Sequence, residues 1–131
     1  MSEMSSADVS RMPIDFFNPT VAALLDRYGD ITQEATRRVT DELILRCAAA
    51  ISERGQKRIF ELMDRETQAV LVYLNMRTDE ELEAIHKECT GIDRSMDQPG
   101  QEKMLIHDFS SKLQRAIKLR KYFLAVLNPA S

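Results

Sequence analysis

Glycine and proline, the residues that most readily interrupt helices, are scarce in this chain, with only 4 of each among 131 residues. Because both residues are unfavourable inside a helix, their scarcity leaves long stretches in which helices can continue. The apolar residues in these stretches recur every three or four positions, which gives each stretch one apolar face. The sequence therefore predicts an all-α protein.

Capping residues and glycines predict where the helices begin and end. We expect a compact bundle of about five helices: a short N-terminal helix, three longer helices and one shorter capped helix. The predicted helices cover residues 19–28, 30–54, 56–77, 79–90 and 101–127, and a loop is predicted over 91–100. Asn18 and a capping box formed by Thr78 and Glu81 are the start signals. Gly29, Gly55 and Gly91 are the stop signals. The run AVLVYL suits a strand when taken alone, but no second strand-like run exists to pair with it.

The chain is long enough for one hydrophobic core, so we expect a single helical domain over residues 13–128. Residues 1–12 have no hydrophobic period and are predicted to form a flexible tail. The first residues are too polar for a signal peptide, and no stretch is apolar enough to cross a membrane. These features predict a cytoplasmic protein, or one that a specialised machine exports without a cleaved signal peptide. Cys47 and Cys89 fall on apolar faces and are predicted to be reduced, buried thiols.

Glu83, His86 and Cys89 follow one another at three-residue spacing, and all three side-chain types can bind metal or take part in catalysis. On a helical wheel His86 and Cys89 lie on the apolar side, and Glu83 lies at its margin. A di-iron site needs a second Glu-x-x-His motif and structural zinc needs four ligands, but the only other histidine is His107 and the only other cysteine is Cys47. The spacing therefore predicts an ordinary amphipathic helix, with no metal site and no cofactor.

No motif that carries catalysis is recognisable in the sequence. There is no glycine-rich phosphate loop, no GxSxG or HExxH motif, and no pair of carboxylates that stands out from surface charge. For Cys89 as a nucleophile, neither an oxyanion hole nor a third group that would orient the base can be identified. We therefore expect that the protein is not an enzyme, and an enzyme without a recognisable motif is the third interpretation.

The last predicted helix carries several basic residues and no acidic residue after Asp108. The candidate anion-binding residues are Lys112, Arg115, Lys118 and Lys121. They wind around one side of the helix instead of forming a single stripe, and cations in the later half of a helix also stabilise its dipole. Because the net charge of the chain is -3, direct nucleic-acid binding is the alternative and not the main interpretation.

Apolar surface beyond the needs of one core is the feature that predicts a partner. Segments 69–76 and 119–127 are each apolar nearly all round, and residues 43–51 carry extra apolar side chains. A small domain can cover one central helix on every side, but it cannot easily cover all three segments. On the last helix, Leu119, Tyr122 and Val126 are the candidate interface residues. They lie opposite the stripe assigned to the core, which consists of Ile106, Phe109, Leu113, Ile117, Leu124 and Leu127. We therefore expect a small non-enzymatic protein-interaction module that forms a homodimer, does not bind membranes, and acts as an adaptor, a regulator, a chaperone-like factor or an exported bacterial protein. The alternative is a nucleic-acid-linked regulator that uses the basic last helix.

Overall fold

The computed structural model describes residues 19–97 and 100–128, and within these residues it contains helices and no strands. Six helices follow one another in this part of the chain: α1 (Pro19–Arg38), α2 (Asp41–Ala50), α3 (Arg54–Glu61), α4 (Arg65–Leu74), α5 (Asp79–Ser95) and α6 (Gln101–Leu127). The predicted all-α class is therefore confirmed, whereas the predicted number of helices is one too low. The predicted tail over residues 1–12 and the predicted cap Asn18 lie outside the described residues.

Two of the predicted long helices are each divided in two at a capping side chain. Thr40 accepts a hydrogen bond from the backbone N–H of Leu43 (3.1 Å) and begins α2. Asp64 accepts one from the backbone N–H of Thr67 (2.8 Å) and begins α4. Such a cap satisfies a backbone donor that has no partner in the first turn of a helix, so it favours a new start at that point. The predicted ranges of the second and third helices are therefore wrong.

The three glycines predicted to end helices all lie inside helices. Gly29 lies in α1, Gly55 in α3 and Gly91 in α5, and none of them has a positive φ. A glycine ends a helix when its backbone turns into the left-handed region, which does not happen at these positions. As a result α1 continues past its predicted end, and α5 continues to Ser95, into the predicted loop.

The predicted capping box and the predicted last helix are confirmed. The side chain of Thr78 accepts a hydrogen bond from the backbone N–H of Glu81, and the side chain of Glu81 accepts one from the N–H of Thr78, each at 3.1 Å. The last helix, α6, spans the predicted residues, Gln101–Leu127. Both predictions depend on local signals that no tertiary contact overrides.

Helix α4 lies at the centre of the fold. Its residues from Ala69 to Leu74 are all buried, with at most 6% of their surface exposed. Helix α1 packs against it most extensively, and α2 and α6 also contact it. The run AVLVYL is therefore a buried helix and not a strand, as predicted. The buried run ends at Asn75, because Met76 is 39% exposed.

Aromatic side chains fix α6 against two other helices. The ring of Phe109 stacks on that of Tyr28 in α1, with the ring centres 4.3 Å apart. Further along α6, Phe123 meets Phe60 of α3 edge to face, with the ring centres 5.3 Å apart. Both arrangements are favourable for aromatic pairs. They place α1 beside the first half of α6 and α3 beside its second half.

The core face of α6 agrees with the predicted stripe in the first half of the helix and departs from it in the second. The buried residues of the second half are Ala116, Leu119 and Phe123. The predicted ones are only partly buried: Ile117, Leu124 and Leu127. The two halves of α6 face different helices, since Phe109 stacks on Tyr28 of α1 whereas Phe123 meets Phe60 of α3, so one straight stripe on a helical wheel does not describe both halves. Leu119 is thus a core residue, and its predicted position on the outer face is wrong.

Candidate functional site

Glu83, His86 and Cys89 differ in burial and do not form a common site. Glu83 is exposed, His86 is partly buried and Cys89 is fully buried. The Cys89 thiol donates a weak hydrogen bond to the carbonyl oxygen of Ile106 in α6 (3.5 Å). In residues 19–97 and 100–128, no group of three or more His, Cys, Asp or Glu side chains is arranged to hold a metal ion.

Burial keeps both cysteines protonated at neutral pH. It raises the pKa of the Cys47 thiol to about 11. It raises the pKa of Cys89 to about 12, to which the nearby negative charges of Asp93 and Glu88 contribute. Both cysteines are free and buried, as predicted. Because the thiolate is the form that attacks substrates and binds metal, neither cysteine is suited to these roles.

Arg120 of α6 joins the end of α4 to the start of α5. Its guanidinium donates to the carboxylate of Asp79 (2.6 Å), the side-chain oxygen of Asn75 (2.9 Å) and the carbonyl oxygen of Arg77 (2.8 Å). The Arg120 side chain is only 14% exposed. An open cleft of about 540 Å³ lies beside it. All three guanidinium nitrogens donate to acceptors of the chain itself, so Arg120 stabilises the fold and is not positioned to bind a ligand.

A second polar cluster joins α5 to α6 at the other end of α5. Lys103 Nζ lies 2.8 Å from Asp93 Oδ1, and His107 Nδ1 lies 3.1 Å from Asp93 Oδ2. Burial raises the pKa of the Asp93 carboxyl, but Lys103 and His107 lower it by more, so the pKa lies below its usual value. Because this cluster and the Asp79–Arg120 pair lie at opposite ends of α5, the two helices run antiparallel.

A third polar cluster joins α1 to α6. The Tyr28 hydroxyl donates to Asp108 and accepts a hydrogen bond from Lys112 Nζ (2.7 Å). Burial, together with the Asp108 carboxylate, raises the pKa of Tyr28 far above its usual value. Lys112 Nζ also lies 3.3 Å from Asp108. The cluster therefore holds a neutral tyrosine and neutralises the charge of Lys112.

An apolar groove of about 270 Å³ opens beside this cluster, between α3, α4 and α6. Asp108 and Lys112 line it, and the remaining lining residues are Ile59, Met63, Thr67, Leu71, Ser111 and Arg115. Leu71 is fully buried, whereas Ile59 is 41% exposed and Leu62, three residues further along the chain, is 72% exposed. The eight lining residues together with Leu62 form what we call the α3 groove.

The short length of α3 explains why Ile59 and Leu62 face outward. Phe60 takes the core position of this helix and is fully buried. At about 100° per residue, Arg58 and Leu62 then lie on the side away from Phe60, and Ile59 lies between that side and Phe60, where it lines the groove. The apolar spacing over residues 56–77 predicts a core stripe of Ile59, Met63, Val70 and Leu74, with Phe60 and Leu71 at its edge. This prediction is wrong for Ile59 and Phe60, because α3 ends before α4 begins and is oriented separately.

The candidate interface on α6 is smaller than predicted. Leu119 is fully buried within the chain, and Tyr122 and Val126 are partly buried. The ammonium group of Lys121 lies over the Tyr122 ring, 5.1 Å from its centre. Of the three candidate residues, only Tyr122 and Val126 keep surface that a partner can contact.

The four candidate anion-binding residues have different surroundings. Lys112 belongs to the cluster of α1 and α6, and Arg115 Nη1 donates to the side-chain oxygen of Gln56 in α3 (2.5 Å). Lys118 and Lys121 are exposed. The structure therefore brings Arg115 to the α3 groove and does not gather the four residues into one surface.

Sequence patterns do not predict the α3 groove, because helices that are distant in the sequence form it. One local signal does point to it: Asp64, a residue type that favours the N-cap position, directly follows Leu62 and Met63. If Asp64 is taken as a cap, α3 ends near Leu62 and its apolar end is free to be exposed.

No helix in the described part of the chain combines the length and the apolar character that crossing a membrane requires. Comparisons with models of known protein families, with curated proteins and with solved structures gave no match to this chain. Its function is therefore inferred from its own residues and contacts.

Proposed function

We propose that this chain is a small non-enzymatic protein-interaction module that binds a partner protein through the α3 groove. The observation that carries this proposal is the exposure of Ile59 (41%) and Leu62 (72%) beside a groove with the buried Leu71 in its wall. Large apolar side chains next to a concave surface are typical of protein-binding sites. Fully burying one such side chain contributes roughly 1.5–3 kcal/mol, and burying the exposed parts of Ile59 (41%) and Leu62 (72%) therefore contributes together about as much as one complete side chain.

The contacts behind the groove support a preformed binding surface. Leu71 belongs to the buried helix α4, and Phe60 anchors α3 to α6 through Phe123. Arg115 makes a second connection between the same two helices through Gln56 (2.5 Å). A surface that is already ordered loses little conformational entropy on binding, which favours affinity.

The proposal includes the roles expected from the sequence: an adaptor, a regulator, a chaperone-like factor or an exported bacterial protein. We place the protein in the cytoplasm, because buried free thiols suit a reducing compartment. The nucleic-acid-linked alternative has less support, since Asp108 neutralises Lys112 and the four candidate residues are not gathered into one surface. The enzyme interpretation also has less support, because burial keeps the Cys89 thiol protonated.

A homodimer is the second form of the proposed interaction. Tyr122 and Val126 keep part of their apolar surface exposed on α6, and the buried Leu119 does not contribute. Stable interfaces bury roughly 800 Å² on each partner, which is more than two half-buried side chains provide. We therefore place binding of a different protein before self-association.

Leu45 offers a matched control for Leu62, because it is 69% exposed on α2 and does not line the groove. The parent chain, Leu62→Ser and Leu45→Ser are used as baits in lysate of the source cells. A partner should be captured by the parent and by Leu45→Ser, and at least about tenfold less by Leu62→Ser. Equal capture by all three baits, or no specific capture by the parent, would refute the proposal. Sedimentation equilibrium at roughly 100 μM tests the homodimer separately.

A further inference from the structure

The exposed side of α3 combines apolar and basic side chains. Arg54, Arg58 and Leu62 follow one another at four-residue spacing, so they lie in line on the side away from the buried Phe60. All three are exposed. Neither arginine has an ion pair or a hydrogen bond through its side chain with another described residue. Their charges are therefore available to a partner.

Helix α6 adds positive charge along the same groove. Arg115 lines the groove and donates to Gln56, which is neutral, so no carboxylate neutralises its charge. Lys118 is exposed and lies three residues further along α6, next to Arg115 on the helix surface. Lys112 is different, because Asp108 neutralises it.

The carboxylates around α3 offset only part of this charge. Glu53 accepts a hydrogen bond from the backbone N–H of Gln56 (2.6 Å), and Asp64 accepts one from that of Thr67 (2.8 Å), so both serve as helix caps. Glu61 is exposed and is the remaining carboxylate of α3. Glu53, Glu61 and Asp64 keep their negative charges. A set of five basic residues outnumbers them: Arg54, Lys57, Arg58, Arg115 and Lys118. An excess of positive charge therefore remains around α3 and the groove in a chain whose net charge is -3.

From this arrangement we infer that the α3 groove, together with the exposed outer face of α3 beside it, binds an acidic amphipathic segment of another protein. The apolar side chains of that segment contact Ile59 and Leu62, and its carboxylates pair with Arg54 and Arg58. Arginine suits this role because its planar guanidinium binds a carboxylate through two hydrogen bonds. The inference rests on the proposed function, since it specifies the partner of the same groove.

A second copy of the chain fits this surface less well than an acidic segment. In a symmetric pair of α3 helices whose two-fold axis passes near Arg58, the two copies of Arg58 meet each other. Such contact between like charges is unfavourable. The partner is therefore a different protein with carboxylates beside its apolar residues.

Three labelled peptides of about 15 residues test this inference with the full chain, and fluorescence anisotropy measures binding. The first has leucines at three- and four-residue spacing and glutamates at the other positions. The second has lysine in place of every glutamate. The third has the composition of the first, with the leucines moved off a common face. Leu45→Ser serves as the control for Leu62→Ser. The exposed Arg46 and Arg94, changed together to Glu, serve as the control for Arg54→Glu with Arg58→Glu.

The acidic amphipathic peptide should bind at least about tenfold more tightly than either of the other peptides. Both Leu62→Ser and the double Arg54→Glu, Arg58→Glu variant should weaken its binding by at least about tenfold, and the two control variants should not. The effect of the arginines should decrease at high salt, because salt screens exposed charges.

The outcomes separate this inference from the proposed function. Equal binding of the acidic and basic peptides, with both lost in Leu62→Ser, would refute the acidic partner and leave the groove as a protein-binding site. If no peptide depends on Leu62, both proposals are wrong. A dimer in sedimentation that Leu62→Ser abolishes would show that a second copy occupies the groove. Binding of an oligonucleotide that is lost in the double Arg54→Glu, Arg58→Glu variant but kept in Leu62→Ser would show that the surface binds nucleic acid.

Discussion

Replacing Asn75 with alanine should strongly destabilise the fold, because this buried side chain joins α4 to α6. Asn75 is 1% exposed, and its side-chain nitrogen donates to the carbonyl oxygens of Leu71 and Ala116, each at 3.1 Å. Its side-chain oxygen accepts a hydrogen bond from Arg120 (2.9 Å). Alanine removes all three hydrogen bonds and leaves a charged donor without this acceptor in a nearly buried position.

The size of the effect follows from these contacts. A neutral hydrogen bond contributes about 0.5–1.5 kcal/mol net, and one to a charged group contributes about 1.5–3 kcal/mol. The two neutral bonds and the one bond to a charged group are summed to give the range of the expected loss. The loss lies in the lower part of that range, because the carbonyl oxygens of Leu71 and Ala116 also accept hydrogen bonds within their own helices. We expect the free energy of unfolding to fall by about 3 kcal/mol, which lowers the Tm of a domain of this size by roughly 10 °C.

Urea unfolding followed by far-UV circular dichroism measures this change. Asn128→Ala is the matched control, since Asn128 is exposed at the end of α6, and it should alter the free energy of unfolding by less than about 0.5 kcal/mol. A double-mutant cycle of Asn75→Ala with Arg120→Met should give a coupling of about 1–2 kcal/mol. A loss below about 1 kcal/mol for Asn75→Ala, or additive effects in the cycle, would refute the assigned role of the hydrogen bond between Asn75 and Arg120.

Three further changes test other features of the structure. Native protein at neutral pH should not react with a thiol-specific disulfide reagent, because burial raises the pKa of Cys47 to about 11 and that of Cys89 to about 12; rapid reaction before urea is added would contradict this. The folded pKa of Asp93 lies below its unfolded value, so its contribution to stability is present above the unfolded pKa and is lost as the pH falls through the folded pKa. Urea midpoints measured at decreasing pH should therefore fall less for Lys103→Met than for the parent. Identical pH profiles of the two proteins would contradict the role of the ion pair between Lys103 and Asp93. Gly29→Ala should raise the free energy of unfolding by about 0.5–1 kcal/mol, because Gly29 lies inside a helix and an added Cβ would have no atom of a neighbouring group within 4 Å; a decrease in urea unfolding would contradict this.

The features that the sequence predicts correctly are those with local signals. Thr78 and Glu81 form a capping box within one turn, and the bounds of α6 depend on residues next to its ends. The burial of α4 is also visible in the sequence, since a helix that is apolar all round has no side that suits water. Such signals act before tertiary structure forms, and packing later reinforces them.

The sequence does not predict the features at which two local signals favour different structures, such as a glycine or a capping residue inside a segment with continuous apolar spacing. Gly29 and Gly91 lie inside helices, because a glycine in a helix costs only about 1 kcal/mol relative to alanine and packing offsets that cost. Thr40 and Asp64 start new helices inside segments whose apolar spacing suggests continuity. The exposure of Leu62 follows from the second of these breaks. The α3 groove therefore requires three-dimensional information that no single segment contains.

The central position of α4 has a consequence for the order in which the molecule opens. This helix has 10 residues, fewer than the roughly 12–15 that an isolated helix needs for even marginal stability in water. Its helical state therefore depends on the helices that cover it. The backbone amides from Ala69 to Leu74 should exchange their hydrogens with solvent only when the entire fold opens, whereas amides near helix ends exchange through local fraying. The most slowly exchanging amides of the chain thus belong to a helix that does not exist without its neighbours.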